Sequence, residues 1–376
     1  MMRRLYAVVL VGGTVAAAFA TVGAVRAVAG ASHTEAAGTS AKAARFVVWA
    51  DAPTQPPADL AASDPWLNQY FPSKLQIHVG DKVTFKSRNF HTATFLGSTP
   101  RSKLPVVMPD TTSHYTGVVD ATGTPFWFNG GPPKFVYNPQ VIQPVGSPVV
   151  ADSAVHNSGN FVFIPKHQYT FTFTKPGTYK MLCLVHAGMQ GTIVVKPKKG
   201  HIPTRAQVAA ATLKQLNRSW QTARSLQSQR PSEPNTVYAG AGQHVVLQAF
   251  LPKTLSVRVG ATVTWVSNAE AEPHNMSFGP VDYIENLLNT LDQFPVSSSA
   301  PNQVIPFVAL GSEPPAPYVY TGSNHGNGFL ATPAIDKDPS SPPPDRFSVT
   351  FTKLGTYHYI CMFHGKEMSG DIIVTG

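Results

Sequence analysis

The chain has 376 residues, of which 43% are hydrophobic and only 13% charged, so it can bury enough apolar surface for two domains and is not expected to be disordered. Its 34 prolines and 29 glycines exclude coiled coils and favour a β-rich chain with many turns. The net charge of +9 is concentrated in residues 196–230, which carry eight basic and no acidic groups, so no nucleic acid partner is expected.

Residues 1–31 have the pattern of an export signal. Arg3 and Arg4 precede a long apolar run, and small residues around Ala31 fit a cleavage site. An uncleaved membrane anchor is the alternative, because about 20 apolar residues can span a bilayer. Both interpretations predict an extracytoplasmic protein that is secreted, periplasmic or anchored on the outer face of a membrane.

Two pairs of segments resemble each other at a spacing of about 180 residues. Phe71–Phe85 aligns without gaps on Leu251–Trp265, and Phe171–Val195 aligns on Val349–Val374 with one extra residue. Apolar and polar positions alternate in these segments around a glycine turn, which predicts half-buried antiparallel strands. The chain is therefore expected to be a tandem duplication of a β-sandwich.

The repeats predict a first domain at 42–196, a basic helical linker at 197–234 and a second domain at 235–376. Within the linker, a helix is predicted over Thr204–Gln229, with Thr204 as its cap. The apolar positions that recur at helical spacing are Leu213, Leu216, Trp220 and Ala223. The basic side of this helix has two interpretations. It binds an anionic envelope polymer or lipid, or it is a face exposed to solvent.

Each repeat contains the same order of possible metal ligands. An isolated histidine follows the second strand, and each cysteine is followed by a histidine and a methionine. The first set is His91, Cys183, His186 and Met189, and the second set is His274, Cys361, His364 and Met368. A soft thiolate, two imidazoles and a thioether form a copper-selective donor set, so two metal sites are predicted.

These motifs resemble the cupredoxins, the plastocyanin, azurin and amicyanin family of blue copper proteins. The T-K-[PL]-G-T-Y strand and the C-x2-H loop with its methionine match in order, in both halves. The resemblance implies an all-β chain of two tandem Greek-key β-sandwiches joined by the helical linker. It also implies two type 1 copper ions per chain, bound by the two sets above, with His186 and His364 nearest the surface as electron exits.

The expected function is to carry single electrons between redox partner proteins of the cell envelope, without enzymatic chemistry. A membrane contact is expected only through the possible anchor or the basic linker. The alternatives are a copper storage, delivery or resistance protein, a Cu(I) trap or zinc site, a Cys183–Cys361 disulfide, and a diverged copper oxidase or reductase. The last is disfavoured because neither a His-x-His pair nor a histidine beside either cysteine is present.

An insertion separates the histidine from the cysteine in each repeat, at about residues 97–165 and 279–345. These segments predict either lids over the metal sites or long surface loops. Their histidines, which could bind an additional metal, are His114, His156 and His325. Residues 30–195 carry +4 and residues 231–376 carry −6, so the two halves either dock different partners or face each other and pass an electron between coppers.

Overall fold

The computed structural model describes residues 43–376 apart from 115–117, 128–132, 152, 271, 291–302, 305–317 and 338–343. The predicted export signal at 1–31 therefore lies outside the described residues. Strands predominate and helices are few, which confirms the predicted all-β class. Among the described residues, none of the helices combines the length and the apolar character needed to cross a membrane.

The first half is built from two five-stranded sheets that enclose an aromatic and aliphatic core. In spatial order, one sheet contains β11 (Val149–Val150), β13 (Gln168–Phe173), β5 (Lys82–Lys86), β1 (Arg45–Ala50) and β3 (Tyr70–Phe71). The other contains β12 (His156–Asn157), β6 (Thr94–Phe95), β14 (Gly177–Leu182), β15 (Gln190–Lys196) and β4 (Lys74–His78). Phe85, Phe171 and Ile193 are among the fully buried side chains between them.

The second half repeats this arrangement with a six-stranded and a five-stranded sheet. The six-stranded sheet contains, in spatial order, β2 (Pro65–Leu67), which the first half contributes, β17 (Val245–Leu251), β16 (Thr236–Gly242), β19 (Thr262–Ala269), β24 (Arg346–Phe351) and β22 (Tyr318–Tyr320). The second contains β18 (Thr254–Arg258), β26 (Gly365–Thr375), β25 (Gly355–Cys361), β20 (Ser277–Phe278) and β23 (Leu330–Ala331). The sandwich-like halves thus agree with the predicted architecture.

The alternating sequence pattern explains why these segments are strands. In β5 every second side chain is buried, and in β19 the buried positions include Val263 and Trp265. Side chains of a strand point to opposite faces in turn, so β-branched and aromatic residues at this period line one face of a sheet. Gly80 and Gly260, at φ +89° and +85°, make the turns that lead into these strands, a conformation that glycine adopts without strain.

The insertions have structure of their own and meet across the two halves. Four of their strands, β11, β12, β22 and β23, belong to the main sheets, and their other described elements are β7 (Val107–His114), β8 (Val118–Val119), β9 (Pro125–Trp127), β10 (Pro133–Tyr137), α1 (Pro139–Ile142), α3 (Val281–Thr290) and β21 (Gln303–Val304). Strand β10 pairs with β7 on one side and with β21 of the other half on the other. Short 3-10 turns occur at Ala58–Ser63, Arg101–Lys103, Pro165–His167 and Asn324–Gly326.

The predicted linker helix is present as α2 (Arg205–Gln227). Its first turn is closed by a capping box, in which the Thr204 hydroxyl accepts from the Gln207 N–H at 3.3 Å and the Gln207 side chain accepts from the Thr204 N–H at 2.9 Å. Its buried face holds Leu216, Trp220 and Ala223, as predicted, but Leu213 is 57% exposed. The prediction was wrong at Leu213 because the apolar face that packs is narrower than the sequence spacing indicated.

A third hydrophobic cluster joins the helix to both halves. Its members are Leu60, Leu67, Phe71, Leu216, Trp220, Ala223, Leu226, Ala241, Val245, Leu247 and Leu251. Strand β2, which precedes the first repeat, pairs with β17 of the second half in the same region. The two halves are therefore connected through sheet pairing and a shared core in addition to the linker.

Candidate metal centres

The first predicted ligand set comes together at one end of the first half. His91 lies in the loop between β5 and β6, Cys183 directly follows β14, and His186 lies in the loop that leads to β15. The Cys183 Sγ is 3.9 Å from Nδ1 of His91 and 3.6 Å from Nδ1 of His186. Met189 is buried on the same loop, where its carbonyl accepts from the Cys183 N–H at 2.9 Å.

The second set has the same arrangement. Cys361 ends β25, His364 immediately precedes β26, and Met368 is a buried residue of β26. The Cys361 Sγ is 3.9 Å from Nδ1 of His274 and 3.4 Å from Nδ1 of His364. His274 is fixed by a β-bridge, in which its N–H and carbonyl bond to the carbonyl and N–H of Ile335 at 3.0 and 2.7 Å.

Residues beside the ligands hold the two cysteine loops in place. The Thr92 N–H donates to the Cys183 sulfur at 3.4 Å, and the Thr92 hydroxyl accepts from the Leu184 N–H at 2.9 Å. In the second half the Asn275 side chain accepts from the Met362 N–H at 2.8 Å. The residue after each isolated histidine thus fixes the residue after each cysteine, which couples the two parts of each donor set.

The insertions cover these centres from the side. The Phe161 N–H donates to the His91 carbonyl at 2.9 Å, and the Arg101 guanidinium donates to the Leu184 carbonyl at 3.1 Å. In the second half, Ile335 of the insertion forms the bridge to His274. These contacts attach the insertions to the ligand loops, as the lid interpretation requires.

The donor geometry fits one metal ion in each group. The ligand atoms of each His-Cys-His trio all lie within 4.8 Å of one another. A thiolate sulfur and an imidazole nitrogen bound to one metal at about 2.3 and 2.0 Å lie roughly 3.5–3.8 Å apart, and the measured separations are 3.4–3.9 Å. Both cysteines are free, so the alternative of a Cys183–Cys361 disulfide is wrong.

The histidines expected at the surface are buried between the halves. His186 is 1% exposed and His364 is 7% exposed. Both turn Nε2 toward one carboxylate, that of Glu272 in the second half. Glu272 Oε1 is 3.0 Å from His186 Nε2, and Oε2 is 3.8 Å from His364 Nε2. The expectation that these histidines reach the surface as electron exits is therefore wrong, because both rings are buried where the halves meet at Glu272.

The electrostatics of the centres follow from burial and mutual charge. Burial alone would raise the pKa of the Cys183 and Cys361 thiols, but the neighbouring imidazoles lower it well below its ordinary value. Burial lowers the pKa of both His186 and His364. The charge of Glu272 nevertheless raises the pKa of His186 to about 10, and the charge of Cys361 raises the pKa of His364 to about 9. The pKa of Glu272, raised by burial, is held well below its usual range by the His186 charge.

The insertion histidines do not join a third centre in the part of the chain that the structure describes. His156 Nδ1 lies 2.7 Å from the Ser147 carbonyl, and His325 Nδ1 lies 3.2 Å from Asp120 Oδ2. The His114 side chain lies outside the described part, so the prediction of a metal there stays a prediction.

Sequence reasoning did not identify the residues that contact the ligands and the ligand loops. Glu272, Thr92 and Asn275 each lie within two positions of a predicted histidine, so proximity to a ligand was the available signal. Trp66 of β2 had no such signal, although its ring lies edge-on to His364 at a centroid distance of 6.1 Å.

Replacing Gly240 by alanine is expected to weaken metal binding at the second centre alone. A Cβ at Gly240 would lie 2.2 Å from His274 Nε2, so the ligand ring must move. Overpacking of this kind costs about 1–3 kcal/mol, which corresponds to a loss of about 5- to 150-fold in affinity for Co(II) at that centre. Gly260→Ala is the matched control, because Gly260 has a similar positive φ but open space around its Cβ. Equal effects of the two variants would contradict this account.

No protein-family model matches the chain, and no curated protein matches it. Among solved structures it is similar to a Cu(I) form of an amicyanin mutant, with 21% identity, a TM-score of 0.21, and coverage of 40% of this chain and 89% of that chain. It is also similar to amicyanin from Paracoccus versutus (Thiobacillus versutus), with 19% identity, a TM-score of 0.22, and coverage of 40% and 88%. At these TM-scores the likeness supports no conclusion, so the assignment of the metal centres rests on the donor geometry alone.

Proposed function

We propose that this chain is an exported copper protein with two type 1 sites, which carries single electrons between redox partner proteins of the cell envelope. One observation carries the proposal: each half brings a thiolate and two imidazole Nδ1 atoms together in its interior, with a buried methionine on or beside the same loop. The sites are His91, Cys183, His186 and Met189 in the first half, and His274, Cys361, His364 and Met368 in the second. The export pattern of residues 1–31 supports the extracytoplasmic location.

Copper fits this donor set better than other common metals. Thiolate and thioether sulfur are soft ligands that select copper, and two imidazoles with one thiolate and a weak thioether form the trigonal set of electron-transfer copper sites. A bound copper ion would supply one-electron chemistry by alternating between Cu(I) and Cu(II). Zinc would be bound by the same sulfur and nitrogen atoms without redox chemistry, so occupancy by copper is part of the proposal.

The surrounding residues suit a carrier because they keep the donors in place and dry. Every ligand side chain is buried, so water is kept from the sulfur and nitrogen atoms. The hydrogen bonds of Thr92 and Asn275 and the strand pairing at Cys361 restrict movement of the cysteine loops. Donors held in this way need little rearrangement when the charge of a bound metal changes, which favours electron transfer over ready release of metal.

An anaerobic redox titration of the copper-loaded full chain tests this function. We expect two electrons to be taken up per chain, with loss of the visible absorption on reduction and full recovery on oxidation. A Cu(I) chelator added to the reduced protein should remove no copper during repeated cycles. Rapid loss of copper to the chelator would instead support a storage or delivery protein, and turnover of a substrate with loss of activity on changing an insertion histidine would support an enzyme.

The affinity for Cu(I) is expected to rise with pH at both sites. The raised pKa of His186 and of His364, about 10 and about 9, keeps both protonated at neutral pH in the metal-free protein, so each must lose its Nδ1 proton to bind a metal, whereas the lowered pKa of each cysteine favours the thiolate. One proton released per copper predicts about a tenfold rise in affinity per pH unit between roughly pH 6 and 8, with a plateau above pH 9–10. Competition titrations in several buffers measure this slope. A slope of two would show that the thiols are protonated.

A further inference from the structure

The Glu272 carboxylate lies between the two proposed copper sites. Its Oε1 is 3.0 Å from Nε2 of His186, and its Oε2 is 3.8 Å from Nε2 of His364, so both are ion-pair contacts and neither has the geometry of a hydrogen bond. The Nδ1 atoms of the same rings face Cys183 and Cys361 at 3.6 and 3.4 Å. A continuous series of contacts therefore runs from one thiol through an imidazole, a single carboxylate and a second imidazole to the other thiol.

Burying the Glu272 carboxylate would cost free energy if it did not make these contacts. Its side chain is 2% exposed, and within the described residues its ion pairs are with the two histidines and with no lysine or arginine. The Asn68 amide of the first half approaches Oε1 at 3.5 Å. A buried carboxylate is tolerated only when charged or polar partners compensate for lost water. The compensation here comes mainly from the ligand histidines of both sites.

The two repeats differ at this position. Glu272 stands two residues before His274, and the residue two before His91 is Asn89, which carries no charge. At this position the chain thus provides one carboxylate in place of two, and the first site has a second buried carboxylate nearby, that of Asp51, which interacts electrostatically with His91 and His186. This asymmetry indicates that the carboxylate belongs to the pair of sites.

We propose that Glu272 is a shared positioning residue that couples the two metal centres by holding His186 and His364 with their protons on Nε2. This inference rests on the proposed function, since it concerns the same ligands. A proton kept on Nε2 leaves Nδ1 free as the donor that faces the thiolate. Carboxylates that contact the outer nitrogen of a ligand histidine fix its tautomer and orientation in this way. Because one carboxylate serves both rings, filling one site also orders the ligand of the other.

Titration with Co(II) tests the coupling, because Co(II) bound to a thiolate absorbs visible light and because the thiolate does not reduce Co(II). The native chain and the single-site variants Cys183→Ser and Cys361→Ser are each compared with and without Glu272→Gln. Loss of a carboxylate that orients a ligand histidine costs about 10–100-fold in metal affinity. We expect that loss at both sites from the one substitution. We also expect that, in the native chain, the first Co(II) raises affinity for the second, and that Glu272→Gln abolishes this effect.

Glu270→Gln is the matched control, because it removes the same charge from the same loop at a position without contact to either histidine. It should leave both affinities within about twofold of native. An effect of Glu272→Gln on one site only, on neither, or equal to that of Glu270→Gln would overturn the inference. If the native chain binds no Co(II) at all, the proposed function itself fails, so the two failures are distinguishable.

A second measurement needs no variant and remains decisive if Glu272→Gln does not fold. In the native chain loaded with Zn(II), which is diamagnetic, histidine 1H–15N spectra report which ring nitrogen carries the proton. Protons on Nε2 of both His186 and His364 that exchange slowly with water are the expected result. Rapid exchange of either proton, or a proton on Nδ1, would contradict a shared carboxylate contact.

Discussion

Cys183→Ser is expected to leave one copper site per chain in place of two and to remove about half of the visible absorption. A serine hydroxyl does not ionise at neutral pH and is a hard ligand, so the remaining imidazoles and thioether cannot reproduce a thiolate site. Cys183 and Cys361 lie in separate groups whose ligand atoms are supplied by different halves. Metal analysis and absorption spectra of the purified variant measure the effect.

The reciprocal variant Cys361→Ser is the control for this prediction. It should also retain one copper, and the spectra of the two variants should add to that of the native chain. Loss of both coppers from either variant while the fold is retained would contradict two separate thiolate sites. It would indicate instead that one metal centre is built from both cysteines.

Trp220→Ala is expected to reduce the free energy of unfolding of the metal-free protein by about 3–5 kcal/mol, the usual cost of removing a buried tryptophan. Trp220 lies in the cluster that joins helix α2 to strands of both halves. Its removal would leave a cavity within this cluster, so the loss should exceed that from a residue buried against one element only. Chemical denaturation of the native and variant chains measures the difference.

Leu213→Ala serves as the comparison on the same helix. Its side chain is 57% exposed, so its removal should change the free energy of unfolding by no more than about 0.5 kcal/mol. Similar effects of the two substitutions would show that the helix does not pack as described. A large loss of unfolding free energy from Leu213→Ala alone would indicate that Leu213 packs, as the sequence spacing predicted.

The donor residues could be predicted because their signals are local and repeated. Cys183, His186 and Met189 lie on one short loop, and the same order recurs at Cys361, His364 and Met368. Only the isolated histidines had to be brought in from a distant segment, and their position after a strand turn was the same in both halves. The strands were predictable for a similar reason, because apolar and polar residues alternate along segments such as β5 and β19, where the buried positions also alternate.

The relation between the halves could not be predicted in this way. Within its own repeat, the sequence of His186 indicates a ligand near the surface, but in the structure its ring is buried and lies 3.0 Å from Glu272 of the other half. Likewise, nothing around Trp66 indicates that β2 adds to the second half's sheet and brings the indole to His364. Such contacts depend on complementary surfaces formed by residues far apart in the chain, and a local pattern carries no information about them.

The most direct test of the central claim is a copper titration of the full chain followed by visible absorption and metal analysis. The proposed sites predict an intense thiolate-to-copper band that grows in proportion to added Cu(II) and stops at two coppers per chain. A chain that binds no copper, or binds it without a thiolate band, would contradict the account.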